Sequence, residues 1–254
     1  MVSLWEHWRT AGRGQGKGPK FDTVGGPSSY AVELTRRYPK VSLTQQGGDT
    51  GTMRVNLSWQ MRTSDLNDRP RRPSLLRNPG QLLKPQPVHG HTQGMVNVDL
   101  DLACMYELKD GSKGVVQPLG EFVGNMHEPP YVKLSGDDRF GSGTGETIYV
   151  NLDHADEIGR LLFFVYIYDG TPAFDRTQAV VTLVPGNGPH IEVGLDERAP
   201  DARSCAVLMI EHDKNGDLIV RREARYIYGF QADLDRLYGW GMTWGRGYKS
   251  PTRR

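Results

Sequence analysis

The sequence predicts an all-β protein: an antiparallel β-sandwich with short helical turns, a flexible N-terminal tail and one long insertion loop. Three observations support this fold class. Short strand-like runs recur from residue 95 onward, Gly, Asn and Asp turns separate them, and no long amphipathic helix lies between them. Strands connected without intervening helices are typical of sandwiches. Only 154–161 and 233–239 have a short helical pattern.

Residues 1–39 are predicted to form a flexible basic N-terminal segment. The stretch TAGRGQGKGPK (10–20) has the composition of a Gly-rich basic linker. Ahead of it, Trp5 and Trp8 would share one side of a short helical turn. Two interpretations stay open, because exposed Trp side chains suit docking on a partner, whereas a tail can equally pack on its own domain or remain unstructured.

Residues 40–248 are predicted to form the sandwich domain, followed by a basic tail at 249–254. The opening of this domain, 40–62, has two runs of alternating apolar and polar residues around a Gly-rich turn, which predicts a β-hairpin. Residues 63–94 contain five prolines and little β-pattern, so they predict a long surface insertion loop. The RPRR stretch in this loop could bind a phosphate or a partner. A solvated linker is the favoured interpretation.

After the insertion, the strands follow one another at short intervals. The run LLFFVYIY (161–168) is the longest apolar run of the sequence and lies within one of these predicted strands. Cys104 and Cys205 lie in apolar strand-like runs and are expected to be buried free thiols. Trp240 and Trp244 are expected to pack over the sandwich. The predicted strands cover 95–108, 115–119, 132–136, 147–152, 160–170, 178–185, 190–196, 204–213 and 218–229.

The charge distribution predicts an acidic body with basic appendages. Residues 91–235 carry twelve basic and twenty-four acidic side chains, whereas residues 1–40, 62–90 and 236–254 are each net positive. An acidic surface disfavours nucleic acid and favours divalent cations. The longest apolar run is too short to cross a bilayer, and the N-terminal sequence has no apolar signal core. We therefore expect a cytoplasmic protein without a transmembrane segment.

The strand VNVDLDLA (96–103) carries an unusual pair of carboxylates. Its period-two pattern puts Val98, Leu100 and Leu102 on one face, and Asp99 and Asp101 on the other. Asp is a poor strand former and like charges on one face repel each other. The two carboxylates therefore belong either to a solvent-facing edge or to a site that holds a cation.

The loop SGDDRFGSGTGE (135–146) has the same chemistry. It contains Asp137, Asp138, Glu146 and four glycines. Calcium takes six to eight oxygen ligands, and glycines let a backbone turn its carbonyl groups inward. Asp169, at the end of the apolar strand, is a further candidate ligand. The absence of His and Cys from these clusters argues against zinc or copper. The alternative is a mobile β-connection.

Two other patterns suggest metal sites less strongly. HDKNGDL (212–218) begins like an EF-hand loop, but Leu218 and Ala224 stand where that loop needs Gly and a bidentate Glu. A hairpin turn is the better interpretation. HGH (89–91) lies in the insertion and could hold a metal together with a third ligand, but two His residues in such a loop usually do not.

Three motifs in order resemble the TerD-type domain of bacterial tellurium-resistance and stress-response proteins. They are VDLDLA, SGDDRFGSGTGETIYVNL and LLFFVYIYDG. VSLTQQGG and VNLSW are similar to the opening strands of that domain, and the resemblance covers 40–248 apart from the insertion. It implies a calcium-binding β-sandwich. The implied ligands are Asp99, Asp101, Asp137, Asp138, Glu146 and Asp169. GSGTGE lacks two acidic positions of the family loop, and a TerA-like branch with GDDR and GE is the closer match. The loss of two carboxylates implies weaker calcium binding, or one calcium ion where the family often holds two.

The resemblance predicts a non-enzymatic calcium-binding interaction module of a bacterial tellurium-resistance or stress-response system. The partners that it implies are other Ter-type proteins, including proteins at the inner face of the membrane, and self-assembly is a further expectation. No catalytic Ser, phosphate-loop or dinucleotide-binding motif occurs in the sequence. The alternative function is a structural component of a larger assembly, anchored by the basic tail and the insertion, with a degenerate or absent calcium site.

Overall fold

Two β-sheets pack face to face in residues 31–59, 98–135, 145–170 and 174–245, the ranges that this computed structural model describes. Their strands are β1 (Ala31–Glu33), β2 (Lys40–Ser42), β3 (Thr52–Ser58), β4 (Asp99–Leu108), β5 (Lys113–Val116), β6 (Gly124–Asn125), β7 (Val132–Leu134), β8 (Glu146–Asn151), β9 (Ile158–Asp169), β10 (Val180–Val184), β11 (His190–Gly194), β12 (Ser204–His212) and β13 (Leu218–Ile227). The all-β sandwich is thereby confirmed.

The first sheet has the strand order β1-β11-β10-β3-β8-β7-β6, and the second has the order β2-β13-β12-β9-β4-β5. The strand pairs are antiparallel, except that β1 runs parallel to β11. Short helices occur at the margins of the sheets: α1 (Leu43–Gln46), α2 (Gln231–Tyr238) and single 3-10 turns at Leu119–Glu121, Leu152–His154 and Phe174–Arg176.

The main core lies between the two sheets and follows the period-two pattern of the strands. In β3, buried Met53, Val55 and Leu57 alternate with side chains that face outward. Cys104 and Cys205 are part of this core, and both are free and fully buried, as expected. Burial raises the pKa of both thiols well above the ordinary value, because the thiolate would lose its hydration.

A second core covers the outer face of the second sheet. Met105 of β4 and Phe164 of β9 pack here against Leu234 of α2 and against Trp240, which is 1% exposed. The second sheet is thus covered on both faces, which explains why the apolar run of β9 has no polar alternation. Trp244 is partly buried against the same cluster, so both C-terminal Trp residues pack over the sandwich.

The C-terminal cover, α2 with the residues that follow it, is fastened by polar contacts. The Trp240 indole N–H donates to Tyr106 O at 3.0 Å. The Arg160 guanidinium lies 3.8 Å above the Trp240 ring and donates to Tyr238 O. A cation held against an aromatic face contributes about 0.5–2 kcal/mol. Asp235, which is 3% exposed, accepts hydrogen bonds from the residues that follow the helix.

The hairpin predicted at 40–62 is wrong. Lys40–Ser42 pairs with β13 in the second sheet, whereas Thr52–Ser58 lies in the first sheet between β10 and β8. The chain changes sheets because Leu43–Gln46 forms a helical turn. Ser42 caps its first turn through Gln45 N–H, and Gly47 ends it with a φ of 70°.

The helix predicted at 154–161 is also wrong. One 3-10 turn ends at His154, and β9 begins at Ile158. The polar residues of this stretch form a tight connection, because the β-branched and aromatic residues that follow favour the strand. The helix at 233–239 is confirmed within α2, and the turn at 212–218 is confirmed as a β12–β13 hairpin.

The sandwich begins earlier in the chain than the boundary at residue 40. Ala31–Glu33 pairs with His190–Glu192, and Leu34 is 3% exposed in the main core. Most of the N-terminal segment, the insertion and the basic tail lie outside the described residues. None of the helices in the described ranges is long and apolar enough to cross a bilayer.

Replacing Asp235 by Asn should loosen the C-terminal cover. The Asp235 carboxylate accepts from Gly241 N–H at 2.8 Å, from Met242 N–H at 2.9 Å and from the Trp244 indole at 2.9 Å. An Asn side chain has an NH2 group in place of one carboxylate oxygen. That donor would face at least one of these three N–H groups, which would lose its acceptor. We expect the free energy of unfolding to fall by about 1–3 kcal/mol in urea denaturation.

The matched control for this variant is Asp156→Asn, which neutralises an exposed carboxylate and should change stability by less than about 0.5 kcal/mol. Limited proteolysis should cut the Asp235→Asn chain near its C-terminus first. Equal stability of the two variants would contradict the assigned role of Asp235.

Candidate functional site

The site is built where β4 extends beyond its neighbour β5. Pairing with β5 covers Cys104–Glu107, whereas pairing with β9 continues to Asp99. The stretch Asp99–Leu102, here called the acidic segment, therefore has β9 on one side only. A backbone N–H that points away from β9 in this segment needs an acceptor from another element.

The two Asp side chains of the acidic segment share one face, as the sequence predicts. Leu100 and Leu102 belong to the main core, whereas Ala103 and Met105 belong to the second core. Period two thus puts Asp99 and Asp101 on the outer face of the second sheet. Asp101 is 0% exposed and Asp99 is half-buried, so the interpretation as a solvent-facing edge fails for Asp101.

Glu146 reaches the acidic segment from the opposite sheet. It is the first residue of β8, is 0% exposed, and accepts the Leu102 N–H through Oε2 at 2.5 Å. That N–H belongs to the peptide group between Asp101 and Leu102. The hydrogen bond therefore brings the Glu146 carboxylate next to the strand that carries Asp101 and satisfies the β4 edge where β5 has ended.

The local sequence explains why Glu146 enters the interior. Gly145 precedes it with a φ of 71°, and a Cβ at this position would lie 2.0 Å from Leu57 O. Only Gly allows the chain to turn this close to β3. Asn56 then donates to Glu146 O at 3.2 Å and to Thr147 Oγ1 at 2.9 Å, which fixes the start of β8.

A second hydrogen bond between the sheets lies at the other end of the acidic segment. Trp59 follows β3 and is 5% exposed, and its indole N–H donates to Val98 O at 3.1 Å. Sequence reasoning did not identify Trp59 as part of the site. The available signal was a Trp directly after an alternating strand, in NLSW, which indicates burial but not a partner.

Asp169 lies at the rim of the site. It is paired with Asp99 in the β4–β9 ladder, next to a β-bulge. Its side chain is exposed. Asp169 Oδ1 accepts the Gly170 N–H at 2.8 Å. Asp137 and Asp138 lie outside the described residues. The loop that contains them leaves β7 at Ser135, whose N–H donates to Thr147 O at 2.9 Å, and it returns at Gly145 beside Glu146.

The donors brought together here fit a hard cation in type. Burying a carboxylate is costly unless a hydrogen bond, a proton or a positive charge compensates it, and Asp101 and Glu146 are both fully buried. Oxygen donors are the ligands that calcium prefers. Within the described ranges, no group of three or more His, Cys, Asp or Glu side chains is arranged to hold a metal.

The turn at 212–218 uses its acidic residues internally. Asp213 Oδ1 accepts the N–H groups of Asn215 at 2.8 Å and Asp217 at 3.0 Å. Asp217 Oδ2 accepts from Gln45 at 2.8 Å. These contacts build a hairpin turn at the His212 end of β12. The acidic segment lies near the opposite end of β12, which begins at Ser204. The HGH motif lies outside the described residues.

The fold and the site define a β-sandwich with an acidic strand buried at one end, and the sequence comparison relates it to a family. The chain is 36% identical over 219 residues to the tellurium resistance protein TerA of Alcaligenes sp.. The match covers 86% of this chain and 58% of the relative. This similarity supports the TerD/TerA-like family that the motifs predicted. The chain spans somewhat more than half the length of that relative.

No protein-family model matches the chain. Among solved structures, the unknown-function protein SAV2460 aligns with a TM-score of 0.49 at 16% identity, over 75% of this chain and 98% of that protein. A homologue of the telluride resistance protein TerD, SCO6318 from Streptomyces coelicolor A3(2), aligns with a TM-score of 0.47 at 20% identity, over 73% and 95% of the two chains.

Replacing Glu146 by Ala should destabilise the sandwich more than replacing it by Gln. Ala leaves the buried Leu102 N–H without its acceptor, which costs about 1–3 kcal/mol, and it also removes buried side-chain volume. Gln keeps an acceptor oxygen of similar reach. Urea denaturation measures both effects, and hydrogen exchange at the Leu102 amide should accelerate in the Ala variant first.

Glu192→Ala is the control for this comparison, because Glu192 is half-buried and lies in a strand of the first sheet. We expect a stability change below about 1 kcal/mol for this control. If the Glu146→Ala and Glu192→Ala variants are equally stable, the hydrogen bond between Glu146 and the Leu102 N–H does not stabilise the sandwich.

Proposed function

We propose that this chain is a non-enzymatic calcium-binding module of a Ter-type tellurium-resistance or stress-response system. One observation carries the proposal: Asp101 and Glu146, from opposite sheets, are both fully buried at one end of the sandwich, and Glu146 accepts the N–H of Leu102, the residue that follows Asp101. The 36% identity to a tellurium resistance protein supplies the biological setting.

In this proposal, Asp99, Asp101, Glu146 and Asp169 hold the ion, together with Asp137 and Asp138 of the Gly-rich loop. Hard oxygen donors are what calcium requires, and its charge offsets the cost of burying two carboxylates. GSGTGE contains few acidic residues, which favours one calcium ion over two. The bound ion supplies a positive charge and a bridge between donors that belong to different sheets.

The role of the ion in this proposal is structural. Glu146 belongs to the first sheet and Asp101 to the second, so a cation shared by them stabilises their junction and orders the adjoining loop. A ligand shifts a conformational equilibrium only by its differential affinity for the two states. The ordered end then serves as a docking surface for other Ter-type proteins in the cytoplasm or at the inner face of the membrane.

The two cysteines are not suited to a catalytic role. Both thiols lie fully buried in the main core, and burial raises the pKa of each well above its ordinary value. A reactive cysteine requires an accessible thiolate. Cys104 and Cys205 are therefore packing residues and poor candidates for nucleophiles.

Calcium titration of metal-free protein tests the proposal. We expect saturable heat in calorimetry and a rise in melting temperature, because a ligand at a hundred times its Kd stabilises the fold by about 2.7 kcal/mol. Asp101→Asn should weaken binding at least about tenfold, since one buried charge pairing is lost. Magnesium should bind more weakly, because it demands stricter octahedral geometry.

The control variant is Asp213→Asn, which alters the acidic turn at the opposite end of β12 and should leave calcium binding unchanged. If wild-type protein gives neither heat nor a melting-temperature rise at millimolar calcium, the proposal is wrong. If Asp213→Asn rather than Asp101→Asn abolishes binding, the ion belongs to the turn.

A further inference from the structure

We infer that Trp59 is a positioning residue for the acidic segment. Its indole N–H holds the Val98 carbonyl and thereby fixes the backbone that carries Asp99 and Asp101. The inference rests on the proposed function where it predicts calcium affinity, and it has a second readout that does not require calcium.

Two hydrogen bonds between the sheets flank the acidic segment. On one side the Trp59 indole donates to Val98 O at 3.1 Å, and on the other the Leu102 N–H donates to Glu146 at 2.5 Å. Asp99 and Asp101 lie between these two contacts. A strand held at both ends of a short stretch has little freedom to rotate, so the direction of both carboxylates is set by the two contacts together.

Both contacts are made from one place in the first sheet. Glu146 is the register partner of Leu57 across β3 and β8, and Trp59 follows Leu57 by two residues. The two anchors are therefore carried by one rigid pair of strands. Positioning groups that are built on strands hold their partners more accurately than groups on loops.

The Trp59 contact also joins two parts of the chain that are distant in sequence. Residues 59 and 98 border the 60–97 range, and the Trp59–Val98 hydrogen bond joins the two borders directly. Closing a long segment costs chain entropy that grows with its length. Because the Trp59–Val98 hydrogen bond joins residues 59 and 98, it fixes the position at which β4 begins.

The indole suits this role because it combines bulk with one donor. Trp59 and Val98 are each 5% exposed and belong to the main core. In that apolar setting, the Val98 carbonyl requires a hydrogen-bond donor. Phe would fill most of the same space but has no N–H.

The experiment compares Trp59→Phe with Trp240→Phe. Trp240 is 1% exposed and its indole donates to Tyr106 O at 3.0 Å, at the opposite end of the same strand β4. Each variant thus loses one buried indole–carbonyl hydrogen bond beside β4. Both should lower the melting temperature of the metal-free protein, which measures the purely structural effect.

Calcium affinity by calorimetry should separate the two variants. We expect Trp59→Phe to raise the Kd about three- to tenfold, the equivalent of one net hydrogen bond. Trp240→Phe should change the Kd less than about twofold, because its contact is remote from the carboxylates. Equal effects of the two variants on Kd would overturn the inference.

Hydrogen exchange supplies the readout that does not depend on calcium. In metal-free protein, the amides of the acidic segment should exchange faster in Trp59→Phe than in Trp240→Phe, whereas Met105 and Tyr106 should show the reverse. If wild-type protein binds no calcium, the proposed function fails, and this exchange pattern alone decides the inference. Uniform acceleration across β4 in both variants would overturn it.

Should Trp59→Phe not fold, benzothienylalanine at position 59 replaces it in the same measurements. That side chain keeps the indole shape and substitutes sulfur for the N–H group, so only the hydrogen bond to Val98 is lost. The expected results are the same as for Phe. Unchanged affinity and unchanged exchange with this residue would overturn the inference.

Discussion

The structure of this end of the sandwich depends on which group accepts the backbone N–H groups of β4 beyond the end of β5. A strand edge inside a protein must give its backbone N–H groups an acceptor. Here that acceptor is a carboxylate from the opposite sheet, Glu146, which receives the Leu102 N–H. One contact therefore closes the edge of the second sheet, ties it to the first, and places the buried Glu146 carboxyl group beside the peptide that joins Asp101 to Leu102.

The cover on the second sheet follows from a related constraint. β4 and β9 carry large apolar side chains on both faces, so the sheet requires a layer on its outer side as well as the first sheet on its inner side. The short helix α2 and the segment that ends near Trp244 supply that layer. Asp235 and Arg160 fasten it through hydrogen bonds to backbone groups.

The buried carboxylates connect the fold with the proposed function. Replacing a buried ionic group by apolar residues is often neutral or stabilising, so buried charges are weak evidence for stability as such. In the proposed function, Asp101 and Glu146 bind calcium, and Trp59 and Glu146 determine where the calcium ligands lie.

The sequence alone determined the fold class, most of the strands, the alternation of Asp99 and Asp101 against Leu100 and Leu102, and the family, because these features follow from local periodicity and short motifs. Tertiary structure alone decided that residues 40–58 join two sheets instead of forming a hairpin. It also decided that Glu146 reaches Leu102 and that Trp59 holds Val98. Each of these contacts joins residues distant in sequence across the sandwich, and no local pattern specifies which residues of one sheet face which residues of the other.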